Sequence, residues 1–199
     1  MTGLEGEGFK PWIGNEYGAR RVLLLGESAY SWWDEAGVRH DPSAAHSTQL
    51  VDEAIGNFEA SPNFMRTVSR GLANDYAPTP VQLRATWATV AFTNYVDGSV
   101  GDGARVRPSP AMWRAAAGVW LTLLDELRPQ SVVVLGKSLW ASMPESHLHR
   151  TDDLQAYRMS DGSIASCWAV RHPAAGLSWR DLANVIDQAR NGVSWESSN

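Results

Sequence analysis

Four side chains of complementary chemistry each stand just past a short apolar run: Glu27 after residues 21–25, Asn94 after 89–93, Lys137 after 131–135 and His172 after 164–170. A carboxylate, an amide, a cation and an imidazole are the groups with which a site holds water, reads a hydrogen-bonding edge, binds an anion and donates a proton. There is a physical reason for them to meet. In an open α/β sheet the turns beyond the carboxyl ends of parallel strands converge on one crevice. The stretches that would line it are Gly26-Glu27-Ser28-Ala29-Tyr30, Asn94-Tyr95, Gly136-Lys137-Ser138 and Arg171-His172-Pro173.

Positioning these groups requires four strands, and the near-continuous apolar character of the four runs suits a sheet covered on both faces. Helix-start chemistry lies between them. Thr79-Pro80-Val81-Gln82 combines an N-cap threonine, proline at the first helical position and glutamine at the third, and Ser109-Pro110 and Ser178-Trp179-Arg180-Asp181 give two further starts. Trp113, Ala116, Trp120, Leu123, Leu124 and Leu127 form one apolar stripe of a helix ended by Pro129. Residues 48–72, broken at Ser61-Pro62, supply one or two more helices, and 154–168 around Asp161-Gly162 read as a hairpin leading into the last strand. Strand and helix in alternation predict a three-layer α/β/α domain with a central four-stranded parallel sheet, running from about residue 9 to 192 before a frayed polar tail at 194–199.

Composition narrows the function classes. With 199 residues, 44% apolar and 20% charged, the chain reads as one folded domain. No apolar run approaches a membrane span, and the start Met1-Thr2-Gly3-Leu4-Glu5-Gly6-Glu7 lacks signal-peptide features, so a cytoplasmic protein without a membrane partner is expected. The lone Cys167 excludes an internal disulfide, a four-cysteine zinc site and an iron–sulfur cluster ligated by cysteines of one chain. A net charge of −5 argues against a histone-like cationic coat and leaves room for a local basic cleft. His147, His149, Asp152 and Asp153, or His40, Asp41 and His46, are metal-ligand types, but their spacings match no known zinc helix or knuckle. Neither a metal nor another cofactor is expected.

Val22-Leu23-Leu24-Leu25-Gly26-Glu27-Ser28-Ala29-Tyr30, a strand ending in Gly-Glu with a tyrosine further on, resembles the first motif of the uracil-DNA glycosylase superfamily. Phe92-Thr93-Asn94 resembles that superfamily's strand ending in a uracil-reading asparagine, Val132-Val133-Val134-Leu135-Gly136-Lys137 its third strand, and His172-Pro173-Ala174 its His-Pro-Ser loop. The resemblance extends over roughly residues 20–180. It implies the corresponding fold, hydrolysis of a base–sugar bond, and DNA or a nucleobase-containing ligand as partner. Two positions depart from the best-known branch: Ser28 stands where the catalytic aspartate would be, and Ala29 where a proline is usual.

The chemistry of that bond agrees with the residue types. Its cleavage develops positive charge on the sugar and negative charge on the departing base. Glu27 could position water beside the sugar and His172 could donate to the base, while Asn94 offers the donor and acceptor that match uracil and misfit cytosine. Tyr30, Trp32 or Trp33 could stack on an extruded base, with Gly26 and Ser28 completing the pocket wall. Lys137, Arg171 and Arg180 could hold phosphates, and Leu177 could wedge into the stack. Each residue also has a plainer role: Glu27 as acceptor of backbone N–H bonds, Asn94 and His172 as turn-closing groups, the aromatics as packing. Two other functions remain open. One is a non-catalytic nucleobase- or DNA-binding module, favoured by Ser28. The other is a serine hydrolase using Ser28 and His172, although Tyr30 stands where a Gly-x-Ser-x-Gly elbow needs its last glycine.

Overall fold

The structure, a computed structural model, describes residues 10–103 and 106–195. The N-terminal Met1 to Glu7 stretch and residues 196–199 of the polar tail lie outside the described residues. In chain order the elements are β1 (Trp12–Ile13), β2 (Val22–Gly26), β3 (Ala29–Trp33), β4 (Arg39–His40), α1 (His46–Gly56), α2 (Asn63–Ala73), α3 (Pro80–Trp87), β5 (Val90–Asn94), β6 (Ser99–Asp102), α4 (Pro110–Leu127), β7 (Ser131–Leu135), α5 (Lys137–Ser142), β8 (Leu148–Thr151), β9 (Leu154–Arg158), β10 (Ile164–Val170) and α6 (Trp179–Asn191).

The main sheet has the order β1-β5-β2-β7-β10-β9-β8. Its centre is the expected set: β5, β2, β7 and β10 run parallel, with Gly26 opposite Asn94 and Leu135 opposite Val170. The expectation of a sheet of four parallel strands is nevertheless corrected, because the sheet has seven strands and is mixed. β1 adds antiparallel to β5 at one edge, and β9 and β8 add antiparallel beyond β10 at the other. The β9–β10 pair is the expected hairpin, turning where Gly162 takes φ 83°.

Side-chain alternation along the central strands explains why helices cover both faces. Leu23, Leu25, Ala91, Val132 and Val134 pack with Ala116, Trp120, Leu124 and Leu127 of α4. Val22, Leu24, Phe92, Val133 and Leu135 point the other way, against Met65, Val68 and Leu72 of α2 and Leu182 and Ile186 of α6. Fully burying such a side chain stabilises the fold by about 1.5–3 kcal/mol. Residues 48–72 form two helices, with Ser61-Pro62 between them. Among the described residues no helix is long and apolar enough to cross a membrane.

The starts of α3, α4 and α6 follow the capping rules, whereas α1, α2 and α5 have no side-chain cap. The Thr79 hydroxyl accepts from the Gln82 amide at 3.3 Å and the Gln82 side chain accepts from the Thr79 amide at 2.8 Å, a reciprocal capping box ahead of Pro80. This start fixes the helix that ends at Trp87, which is fully buried and donates from Nε1 to Ser69 Oγ at 3.1 Å. Thr79→Ala is expected to cost about 1 kcal/mol, read in urea unfolding as a lower midpoint with an unchanged slope. Ser109 and Ser178 cap α4 and α6 in the same manner, accepting from the amides of Met112 and Arg180.

Where an alternating α/β pattern would place a helix after β2, the chain instead makes a second, small sheet of order β4-β3-β6. Ala29 and Ser31 are buried and Tyr30 and Trp32 exposed, the period of a half-buried strand. Ser31 Oγ lies 2.5 Å from Asp41 Oδ1 and 2.6 Å from Ser99 Oγ, and Arg39 donates to Ser31 at 3.0 Å and to Asp102 at 2.8 Å. These polar contacts tie β3 to both neighbours.

Candidate functional site

The carboxyl edge of the parallel strands brings Gly26, Glu27, Asn94 and His172 together. Gly26 and Asn94 are register partners, and the ladder continues past them as Tyr95 donates to Gly26 O and Val96 to Glu27 O, both at 2.9 Å. The backbone that carries Glu27 is therefore fixed from the β5 side. Above Gly26 the space belongs to Asn94, because a Cβ on residue 26 would stand 2.2 Å from Asn94 Oδ1. Asn94 is 9% exposed, and its amide is not among the buried polar atoms that lack a partner. An amide at this edge carries both a donor and an acceptor with which to meet a ligand or water.

Glu27 is equally buried, and Arg107 Nη1 donates to both of its carboxylate oxygens at 2.9 Å. Arg107 itself is exposed, so the pair joins a buried anion to a cation at the surface. His172 is half-buried. Its ring lies 5.3 Å from that of Phe64, and a Cβ on Gly136 would come within 3.7 Å of its Cδ2. Nδ1 accepts from the Ala174 amide at 3.2 Å, so the neutral ring carries its proton on Nε2 and can donate from there. Burial holds the His172 pKa below the ordinary histidine range, with the Glu27 charge pulling it up and the Arg107 charge pushing it down. The three groups thus share one electrostatic neighbourhood.

Other residues singled out in the sequence lie elsewhere or are engaged. Lys137 is exposed and ion-pairs with Asp153. Arg171 is exposed beside His172, and Arg180 lies over the Trp179 ring at the start of α6. Leu177 is half-buried and packs against the core on the α2 and α6 face. Ser28 is half-buried, and among the described residues it makes no hydrogen bond to His172. Tyr30, Trp32 and Trp33 are exposed on the small sheet, where Trp32 stacks on His40 at 5.5 Å and His40 Nε2 meets Asp34 at 2.9 Å. Cys167 is buried, which pushes its thiol pKa up.

Among the described residues no three His, Cys, Asp or Glu side chains gather as a metal site. His147 Nδ1 accepts from the Arg158 amide, while Asp41 is engaged by Arg39. A groove of about 540 Å³ lies at the opposite end of the sheet, lined by Gln130, Ile164, Ser166, Arg190 and Trp195. It offers one ionisable group, Arg190, and the chemistry-bearing set lies at the other edge.

Two members of the site were not singled out in the sequence. Phe64 sits on an amphipathic helix and reads there as core, which half of it is. Arg107 arrives from the segment before Pro108, which has no periodicity to mark it. No family model matches the chain, and no curated protein matches it.

Proposed function

We propose that the carboxyl edge of the sheet is the active site of a hydrolase that binds a nucleobase and cleaves its bond to the sugar. More narrowly, the protein is a glycosylase of the uracil-DNA glycosylase type, with a three-layer fold of that kind, acting in the cytoplasm on uracil or another deaminated base in DNA. The observation that carries this reading is the convergence at one sheet edge of a nearly buried amide (Asn94), a carboxylate (Glu27) and an imidazole whose Nδ1 is engaged as acceptor, which leaves the proton on Nε2 (His172).

Asn94 offers an N–H and a C=O to the polar edge of the base, and Phe64 beside His172 supplies an aromatic face for it to lie on. As the C1′–N bond breaks, its electron pair leaves with the base and His172 Nε2–H donates to the oxygen on which that charge collects. Glu27 orients the water whose oxygen bonds to C1′ and stabilises the positive sugar, and the water's proton passes to the carboxylate or to solvent. Ser28 supplies no carboxylate at this edge, so the anionic role falls to Glu27.

The test is single-turnover incubation with end-labelled single- and double-stranded oligonucleotides carrying uracil, hypoxanthine, xanthine or a mismatch, followed by alkaline cleavage. Strand breakage at the deaminated base is expected. Its pH profile should fall off on the acid side, at a midpoint below the ordinary histidine range, because a proton on Nδ1 breaks the bond from the Ala174 amide that aims Nε2. Saturable binding without breakage would identify a base-binding module instead. That reading gains from Ser28, which stands where the resemblance would put a catalytic carboxylate. A serine hydrolase lacks support, since Ser28 and His172 are not hydrogen-bonded among the described residues.

A further inference from the structure

The described residues on either side of Arg107 are anchored. Val106 packs over Gly101 of β6, where a Cβ would meet Val106 Cγ1 at 3.2 Å, and Ser109, two residues beyond Arg107, caps α4. One nitrogen, Nη1, spans both Glu27 oxygens at 2.9 Å, and among the described residues Nε and Nη2 make no hydrogen bond. A surface ion pair ordinarily contributes little, but this carboxylate is 9% exposed and sees weaker screening.

We propose that Arg107 is a positioning residue of this site, holding the Glu27 carboxylate in one orientation and offsetting its charge beside the His172 ring. The charge logic is simple. A carboxylate close to an imidazole favours the imidazolium, which would leave the ring positively charged and pair it with Glu27. A guanidinium on that carboxylate removes the pull, so Glu27 keeps its charge while His172 stays neutral. Among the described residues Glu27 and Arg107 are the charges that act on the ring; Arg171 precedes it in its own loop, Lys137 on α5 is paired with Asp153, and α2 presents the apolar Phe64. The value of this division of charge to a reaction rests on the glycosylase reading, whereas the coupling itself does not.

The experiment is an NMR titration of the His172 ring in the full chain and in Arg107→Ala, Arg107→Lys, Glu27→Gln and Glu27→Gln/Arg107→Ala. Arg107→Ala is expected to raise the His172 midpoint by about 0.5–1 pH unit, the order of shift a nearby charge produces in a partly exposed site. Arg107→Lys should return it most of the way. In the Glu27→Gln background the same Arg107→Ala change should move the midpoint by less than half as much, because the carboxylate that holds the exposed guanidinium beside the ring is gone and Arg107 turns to solvent. An unmoved midpoint in Arg107→Ala, or an equal shift in both backgrounds, overturns the proposal. If Arg107→Ala does not fold, Arg107→Gln, which keeps a donor without the charge, gives the same comparison. Where oligonucleotide cleavage is found, Arg107→Ala should slow the single-turnover rate while leaving substrate binding unchanged. Titration coupling without cleavage would sink the glycosylase reading alone, and cleavage without coupling would sink the role of Arg107 alone.

Discussion

Glu27→Gln is expected to lower the single-turnover cleavage rate by about 100- to 1000-fold, with binding of an uncleavable substrate analogue retained. The substitution is nearly isosteric, so it removes the charge and leaves the shape. Glutamine Oε1 can still accept from Arg107, but its amide nitrogen then faces the same guanidinium where an oxygen accepted at 2.9 Å. What is lost is the negative charge opposite the sugar, which matters in the transition state more than in the bound ground state. Stability should change by no more than about 1 kcal/mol, since Arg107 is exposed and can turn to water. A companion measurement fixes the cause: the His172 midpoint should fall, because the Glu27 charge is what raises it against burial. A Glu27→Gln enzyme that cleaves at the parent rate would remove Glu27 from the chemistry. The water would then have to be held by a group such as Ser28.

How much of this could be read from the chain depends on the length of each signal. The central strands were legible because residues 22–25, 90–92 and 132–135 are apolar without interruption, as suits strands buried on both faces. The caps of α3, α4 and α6 were legible because Thr79, Ser109 and Ser178 each stand directly before a helical stripe. β1 was not, since two residues carry no period and their pairing with β5 is decided by tertiary contact. The small sheet was missed for a related reason. β3 alternates over only five residues ending in Trp32-Trp33, and its partner β6 lies at Ser99–Asp102, far along the chain. Glu27, Asn94 and His172 could be picked out because each is a polar group at or just past the end of a strand. Arg107 could not, because its place in the site is set by a tertiary contact with Glu27, 80 residues away, which no local pattern encodes. The aromatics Tyr30, Trp32 and Trp33 show a further limit: a cluster near a motif says nothing of direction, and the structure places them exposed on the small sheet, with Trp32 stacked on His40.

The sharpest structural test of the site is at Gly26. Gly26 is not among the residues with positive φ, so its backbone would accept alanine; the obstacle is a single side chain. The added Cβ would lie 2.2 Å from Asn94 Oδ1, while the next contacts, Asn94 Cγ at 3.4 Å and Phe92 Cε2 at 3.6 Å, are tolerable. Asn94 must therefore swing out of its position or push the two strands apart. Gly26→Ala is expected to destabilise the fold by about 1–3 kcal/mol, the usual cost of overpacking, and to abolish base binding as completely as Asn94→Ala. The double variant separates these effects. With Asn94 truncated, the Cβ at position 26 meets nothing closer than the phenyl edge, so Gly26→Ala/Asn94→Ala should recover most of the stability while binding stays lost. Thermal unfolding and equilibrium binding to a uracil-containing oligonucleotide, measured on the four members of the cycle, give a stability coupling of about 0.5–3 kcal/mol if the two residues share that space. Additive stabilities, or a Gly26→Ala protein that binds as tightly as the parent, would mean that the amide does not read the base from above Gly26. The close approach of two strand ends, one bare of a side chain so that the other can present an amide, would then be packing alone.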